Sequence, residues 1–451
     1  MKSINTIFIT LATLQSFGQS NPMINGWLMN TNGVRGSHYV SGNSTAIQDP
    51  DSANVKTVYY SANWSYIRTN GVPSYTTGPF LDGNPSIATS QNAIFKLPLN
   101  PVQNTGTPTP TTMGNIGLFI NGVALFDARD GVSWRSSTNS LAGGPIGGQG
   151  DNVWNRDAIR AERIGFDCSK GHPAMGNYHH HQNPSAFDLD LTVISTVCNL
   201  YDADGLYAID STQHSPLIGF AYDGFPIYGA YAYQNTNGTG TIVRMKSSYS
   251  LRNITVRNTS PAGASVLSGP NVSPTYPLGY FREDYEYIAP SANQTDRLDA
   301  HNGRYCITPE YPNGTYAYFC TVDQSWNSAY PYAVGPTFYG VKSATKVNGI
   351  TEPVTLYTPQ TTNLSEGIEL ESIKVFPNPA SDLLVIQLKG LCREAIDLTM
   401  HDNNGREVMK SAIQAGQTIG FFDTQLMYSG NYTLTLKQGP LKSTRKVLIV
   451  H

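Results

Sequence analysis

The residues with the most chemistry to offer stand together at Gly171-His172-Pro173-Ala174-Met175-Gly176-Asn177-Tyr178-His179-His180-His181-Gln182-Asn183-Pro184. Four of the nine histidines of the chain fall within these residues. Two Pro and two Gly interrupt the stretch, so a regular helix through it is excluded and a short extended segment between turns is expected. Side chains of an extended chain alternate between faces. His179 and His181 then share one face, and Tyr178 and His180 share the other. Two imidazoles spaced in this way can converge on one metal ion, with nitrogens about 2.0–2.1 Å away if it is zinc. Copper(II) suits the same ligands. The competing reading is a hydrogen-bonded His and Tyr network in a polar pocket.

A metal site of this kind takes three or four ligands. His172 lies seven residues before His179, across Pro173 and Gly176, and a loop can fold it back. His214 opens the next apolar segment. The metal-ligand candidates are therefore His179, His181, His214 and His172, holding a divalent ion, zinc or copper. Asp167, Asp223 and Tyr178 are candidates to orient a ligand or to act as acid or base, and Glu162 is a further candidate base. His38, His301 and His401 read as surface or structural residues. Asp202, Asp204 and Asp210 resemble part of a calcium loop, but the twelfth position from Asp202 is Gln213 where a glutamate is required, so a solvated loop is expected.

The elements that position these residues read as strands. The chain of 451 residues has 42 Gly, 28 Pro and 27 Tyr, a composition of many turns and few long helices. Charged residues make up only 14% and the net charge is −3, against a usual charged share of about 25%. No basic run is present, so nucleic acid is not an expected partner. Ile116-Gly117-Leu118-Phe119-Ile120-Asn121-Gly122-Val123-Ala124-Leu125-Phe126 repeats as Ile218-Gly219-Phe220-Ala221-Tyr222-Asp223-Gly224-Phe225-Pro226-Ile227-Tyr228. Each copy is an apolar strand, a tight turn needing φ > 0 and a second strand. Asn70-Gly71-Val72-Pro73-Ser74-Tyr75 is a weaker third copy. Between the copies, Asp157 to Ile164 has helix-forming residues. The expected class is mainly β: a large β-rich domain with duplicated hairpins, then a small C-terminal β-sandwich.

Met1-Lys2 followed by a mostly apolar run to Leu14, with Ser16-Phe17-Gly18 before Gln19, reads as a secretory signal peptide over 1–18. No later stretch reaches the roughly 20 apolar residues of a membrane-spanning helix. Export permits disulfides. Cys306 with Cys320, around the Asn313-Gly314 turn, and Cys168 with Cys198 are the expected pairs. Cys392 is left over. Residues 19–54 form an N-terminal segment, 55–345 the large domain, 346–370 a Thr- and Pro-rich linker, and 371–451 short alternating strands such as Leu384-Val385-Ile386-Gln387-Leu388.

Two family resemblances follow. Val375-Phe376-Pro377-Asn378-Pro379, the Asp402-Asn403-Asn404-Gly405-Arg406-Glu407 turn and Gly430-Asn431-Tyr432-Thr433-Leu434 resemble the type A sorting domain of the type IX secretion system of Bacteroidetes. That resemblance covers about 371–451. It implies passage through the outer membrane by that machinery, then usually removal of the module, with surface attachment or release. The His segment, with His214 to Gly229, Tyr276-Pro277-Leu278-Gly279, Glu283-Asp284-Tyr285 and Leu298 to Tyr316, resembles the YHYH family over about 55–345. Here His180 stands where the name motif has its second Tyr, Ala300-His301 where a Cys is common, and Ala317 where a His is common. That resemblance implies a site location and no reaction.

Three function classes are compatible with these residues: an extracellular or cell-surface protein binding a metal through the His cluster, a metal-free adhesion or glycan-binding module, and a secreted hydrolase using His and Asp such as His214 with Asp223. No G-x-S-x-G elbow supports a serine nucleophile. Trp64, Trp134, Trp154 and Trp326 are the flat surfaces a glycan reader would need.

Overall fold

The computed structural model of the chain describes residues 21–31, 33–83, 86–185, 198, 205–359, 373–388, 392, 394–403, 405–439 and 441–451. The expected signal peptide, Asp202, Asp204 and the 360–370 part of the expected linker lie outside them. Strands dominate, with only two short α-helices, α1 (Pro22–Asn25) and α2 (Ala158–Ala161), among the described residues. Among the described residues two large hydrophobic cores form, with two small clusters around Phe166 and Trp154. The larger runs from Met23 to Ala344, and the smaller from Ile373 to Ile449.

In the smaller unit, Leu384 and Ile386 are buried while Leu383, Val385 and Gln387 are not. This period of two comes straight from the sequence. A three-stranded and a four-stranded sheet contribute to this core, as in a β-sandwich. The larger unit extends past its expected limits. Helix α1, Trp27 and Leu28 enter its core from the N-terminal segment. Thr345–Val347, at the start of the expected linker, and Thr355–Leu356, inside it, pair with Ala93–Pro98 and Val55–Tyr60 as the outer strands of a five-stranded sheet.

The functional candidates sit on an eight-stranded sheet. Its strands are β1 (Asn115–Phe119), β2 (Ala124–Phe126), β3 (Gly171–Ala174), β4 (Asn177–His180), β5 (Leu217–Ala221), β6 (Pro226–Tyr228), β7 (Gly303–Thr308) and β8 (Tyr311–Phe319). Their order is β3-β4-β2-β1-β5-β6-β8-β7. The two copies of the repeated sequence are the hairpins β1–β2 and β5–β6. They meet antiparallel at the centre, Phe220 opposite Leu118. Outside them, β4 runs parallel to β2 and β8 parallel to β6, each the second strand of its own hairpin. The sheet is therefore palindromic, with a pseudo-two-fold axis between β1 and β5.

The symmetry reaches individual hydrogen bonds. Asp167 accepts from the backbone N–H of Ser169 and Gly171 (both 3.0 Å) and from the Tyr178 hydroxyl (2.9 Å). Asp299 accepts from His301 N (2.8 Å), Gly303 N (3.1 Å) and the Tyr316 hydroxyl (2.9 Å). Lys170 (φ 63°) and Asn302 (φ 67°) make the same left-handed step. A Cβ on Gly171 would collide with the Tyr178 hydroxyl, and one on Gly303 with that of Tyr316. Each Asp thus folds the entry of its hairpin, and each Gly leaves room for the Tyr that reaches back.

Cys168 and Cys198 form a disulfide. The expected Cys306–Cys320 bond is absent, and both thiols are free and buried. The reason is the turn. It falls at Pro309-Glu310, with Thr308 opposite Tyr311, and Cys306 faces Thr315. Pro309 presets the turn and has no N–H to give a ladder. Cys320 then lies five residues past Cys306's partner, about 17 Å along the strand direction, far beyond the reach of a disulfide.

Asp223 locks the β5–β6 turn. It accepts from the Tyr318 hydroxyl (2.6 Å), Gly340 N (2.8 Å) and Phe225 N (3.3 Å). Burial pushes its carboxyl up from 3.8 to about 6, against these donors. Such a group stabilises the fold fully below its unfolded value and loses that contribution as pH rises through the folded one. Between pH 4 and pH 7 the unfolding free energy of the parent should fall by about 2 kcal/mol relative to Asp223→Asn. Urea denaturation of both across this range checks it, and a constant difference would contradict it.

Candidate metal centre

Strand alternation and register assemble three of the histidines. His172 on β3 lies directly opposite His179 on β4. His181 follows two residues later on the same face. The ring centroids of His172 and His179 are 4.5 Å apart, and those of His179 and His181 4.9 Å. Ligand atoms of His172, His179 and His181 all lie within 4.8 Å of one another, and all three residues are buried. The hairpin closes through Met175 (φ 50°) and Gly176 (φ 83°), a two-residue turn with both φ positive.

The tautomers are fixed from behind. His179 Nδ1 is 2.9 Å from the carbonyl of Asn177, and His181 Nδ1 is 2.6 Å from that of Asp127. A carbonyl only accepts, so both Nδ1 atoms carry the proton, and in the neutral ring each Nε2 presents a lone pair. Yet these two Nε2 atoms face each other at 3.2 Å. Two acceptors so placed repel unless a positive charge lies between them. Two donors bound at about 2.0–2.1 Å to one zinc ion with tetrahedral geometry stand about 3.3–3.4 Å apart. Backbone carbonyls behind the ring nitrogens are the usual support of metal-binding histidines.

Glu162 closes one side. Asp157 caps α2 by accepting from Arg160 N at 3.2 Å, and the chain leaves the helix at Glu162 before a 3₁₀ turn at Arg163–Gly165. The expected helix over 157–164 is thus split at the residue that enters the site. Glu162 Oε2 is 3.3 Å from His172 Nε2 and 3.1 Å from His181 Nε2. The contacts are close but not aligned as hydrogen bonds, and both Glu162 Oε2 and His172 Nε2 lack a hydrogen-bond partner. Glu162 keeps 25% of its side chain exposed, against 9% for His172 and 3% for His181, so the open side of the cluster is the carboxylate's. Phe126 stacks on His179 at 3.9 Å and Phe166 meets His172 edge-on at 4.9 Å, which keeps the rest of the wall apolar.

The charges follow from these neighbours. Burial, with His181 and His172 beside it, holds His179 well below the ordinary histidine value, and so in the neutral form that binds a cation. Burial would lower His181 too, but the Glu162 carboxylate raises it above its usual value. Burial would raise Glu162, and the two histidines hold it well below the usual carboxylate range. Asp127, whose carbonyl receives His181, is itself anchored by Arg129 (2.6 Å) and Arg282 (3.3 Å).

His180 points to the other face, as alternation requires. Its Nδ1 is 3.0 Å from the Lys170 carbonyl and its Nε2 2.7 Å from the Tyr75 hydroxyl. Both nitrogens are paired and burial depresses it to about 3, which makes it a structural histidine. Tyr178 and Asp167 share that face and form the hairpin lock described above. The structure does not bring His214 to the trio. It packs against Tyr228, Tyr233 and Phe319, with Nδ1 2.8 Å from the Ser215 carbonyl. Asp223 serves its own turn, so His214 and Asp223 make no dyad. Trp134 and Trp154 are buried. Arg304, Ala317 and Phe319 occupy the positions that the pseudo-two-fold relates to His172, His179 and His181. The second half of the sheet repeats the lock without the imidazoles. The carbonyls of Asn177 and Asp127 are invisible in the sequence, because a backbone acceptor leaves no mark in residue type.

Residues 94–331, which carry the trio, Glu162 and both locks, match the family described as YHYH protein. The chain belongs to this family. Residues 374–450 match the secretion system C-terminal sorting domain. The protein is accordingly one sorted by the type IX machinery to the cell surface or the exterior. No helix among the described residues is long and apolar enough to cross a membrane. No curated protein matches the chain.

The two locks of the YHYH domain provide an internal control. Asp167→Asn and Asp299→Asn should each cost about 2–3 kcal/mol, from buried donors left unpaired. Only Asp167→Asn should move the ring resonances of His179 and His181. Urea denaturation and histidine ring NMR on both variants check this, and equal disturbance of the rings by both would contradict it.

Proposed function

We propose that the YHYH domain of this secreted or cell-surface protein binds a divalent metal ion, zinc or copper, through His172, His179 and His181. The observation that carries the reading is the approach of His179 Nε2 and His181 Nε2 to 3.2 Å, each ring with its Nδ1 committed to a carbonyl. His172 Nε2, buried without a hydrogen-bond partner, supplies the third donor. Three histidines leave room for a water or a substrate atom in the fourth position. A bound metal would supply an acidified water or a polarised substrate oxygen there. Glu162, beside two of the ligands and on the exposed side, is placed to take or return a proton at that position, the role of a general acid or base. The leader over 1–18 and an origin in Bacteroidetes accord with the sorting module.

One observation favours a second reading. Glu162 raises the proton affinity of His181, so a doubly protonated His181 shared between Glu162 and His179 could supply the positive charge without metal. Metal analysis of untagged protein separates the two. The parent should hold about one zinc or copper ion per chain, and the double variant His179→Ala/His181→Ala none. Equal metal content in both would end the metal reading. Glu162→Gln should keep the stoichiometry and weaken zinc binding by about 10–100-fold, the usual effect of removing a group that supports the ligands.

A further inference from the structure

The sorting module touches the YHYH domain next to the residues that hold the His segment. The module's loop over 414–418 is seated on the larger domain, with Ala415, Gln417 and Thr418 buried. The Ser74 hydroxyl donates to the carbonyl of Ala415. The backbone N–H of Ala208 donates to Thr418 Oγ1 at 2.7 Å. Gly416 (φ +94°) sits between them, and a Cβ there would lie 3.1 Å from both Leu28 Cδ1 and Ser74 Oγ. Beside the loop a cleft of about 530 Å³, lined by Arg35, Gln48, Gln417 and Phe421 among others, separates the two surfaces. The loop therefore carries much of this contact.

Both anchor points lie one residue from a bond to the His segment. Ser74 precedes Tyr75, whose hydroxyl meets His180 Nε2 at 2.7 Å. Ala208 follows Tyr207, whose hydroxyl donates to Asn183 Oδ1 at 2.7 Å, and Leu206 N donates to the Pro184 carbonyl at 2.7 Å. His180 and Asn183 lie on either side of His181.

We propose that the attached sorting module clamps the His segment, and that its removal loosens the metal centre. Held at Ser74 and Ala208, Tyr75 and Tyr207 keep His180 and Asn183 in place, so His179 and His181 are set before an ion arrives. Without the module these segments gain freedom, and binding must order them again, which lowers affinity. By linkage the bound ion must in turn strengthen the docking of the module. The metal part of this inference rests on the proposed metal site.

The test uses the full chain with a protease site inserted in the 360–370 segment. After cleavage and separation of the module, zinc affinity should fall about tenfold or more. In the metal-free chain, amide exchange over 178–183 should speed up by about tenfold or more. Gly416→Val in the uncut chain should shift both readings in the same direction. Unchanged affinity and unchanged exchange after cleavage would overturn the clamp. An uncut chain that binds no zinc, with exchange still faster after cleavage, would overturn the metal reading and leave the clamp standing.

Discussion

Two imidazole nitrogens without a proton between them do not rest 3.2 Å apart in a protein interior unless something positive holds them. In this protein the constraint is imposed from behind, because the carbonyls of Asn177 and Asp127 each accept a hydrogen bond from an Nδ1–H. Much of the surrounding fold serves to keep those carbonyls where they are. Asn177 starts β4 and is fixed by the two-residue turn before it. Asp127 follows β2 and is pinned by Arg129 and Arg282. The cluster is thus built by the backbone of two neighbouring strands as much as by its side chains.

The pseudo-two-fold sheet shows which parts of this arrangement belong to folding and which to chemistry. Both halves have the Asp, the left-handed residue, the Gly and the Tyr that close the hairpin entry. Only one half has histidines on the facing positions, and only that half has Glu162 beside them. In the other half Arg304 lies over the ring of Phe319 at 5.6 Å, a packing arrangement with no shared acceptor site. The recurring lock makes a sound hairpin, and the three imidazoles with their carboxylate are an addition to it.

Much of the architecture was legible in the residues. Alternation alone assigned His179 and His181 to one face and His180 to the other, because a strand has a period of two whatever it packs against. The repeat around Asn121-Gly122 and Asp223-Gly224 pointed to the two central hairpins, since each turn needs a residue tolerant of positive φ. What remained hidden depends on contacts distant in sequence. His214 opens the second repeat and so reads as a fourth ligand, yet that hairpin's flank lies on the other side of the pseudo-axis. Asn313-Gly314 reads as a turn that would join Cys306 and Cys320, but Pro309 draws the turn earlier and leaves Gly314 within the strand. Glu162 reads from the sequence as a candidate base, but its place beside His172 and His181 follows from the break between α2 and the 3₁₀ turn.

Nitrogen-15 NMR of the histidine rings reads their tautomers directly. His179 and His181 should appear as Nδ1–H forms. One equivalent of zinc should shift the Nε2 resonances of His172, His179 and His181 and leave those of His180 and His214 in place. A doubly protonated His181 that persists in the presence of zinc, with no Nε2 resonance moving, would contradict the account.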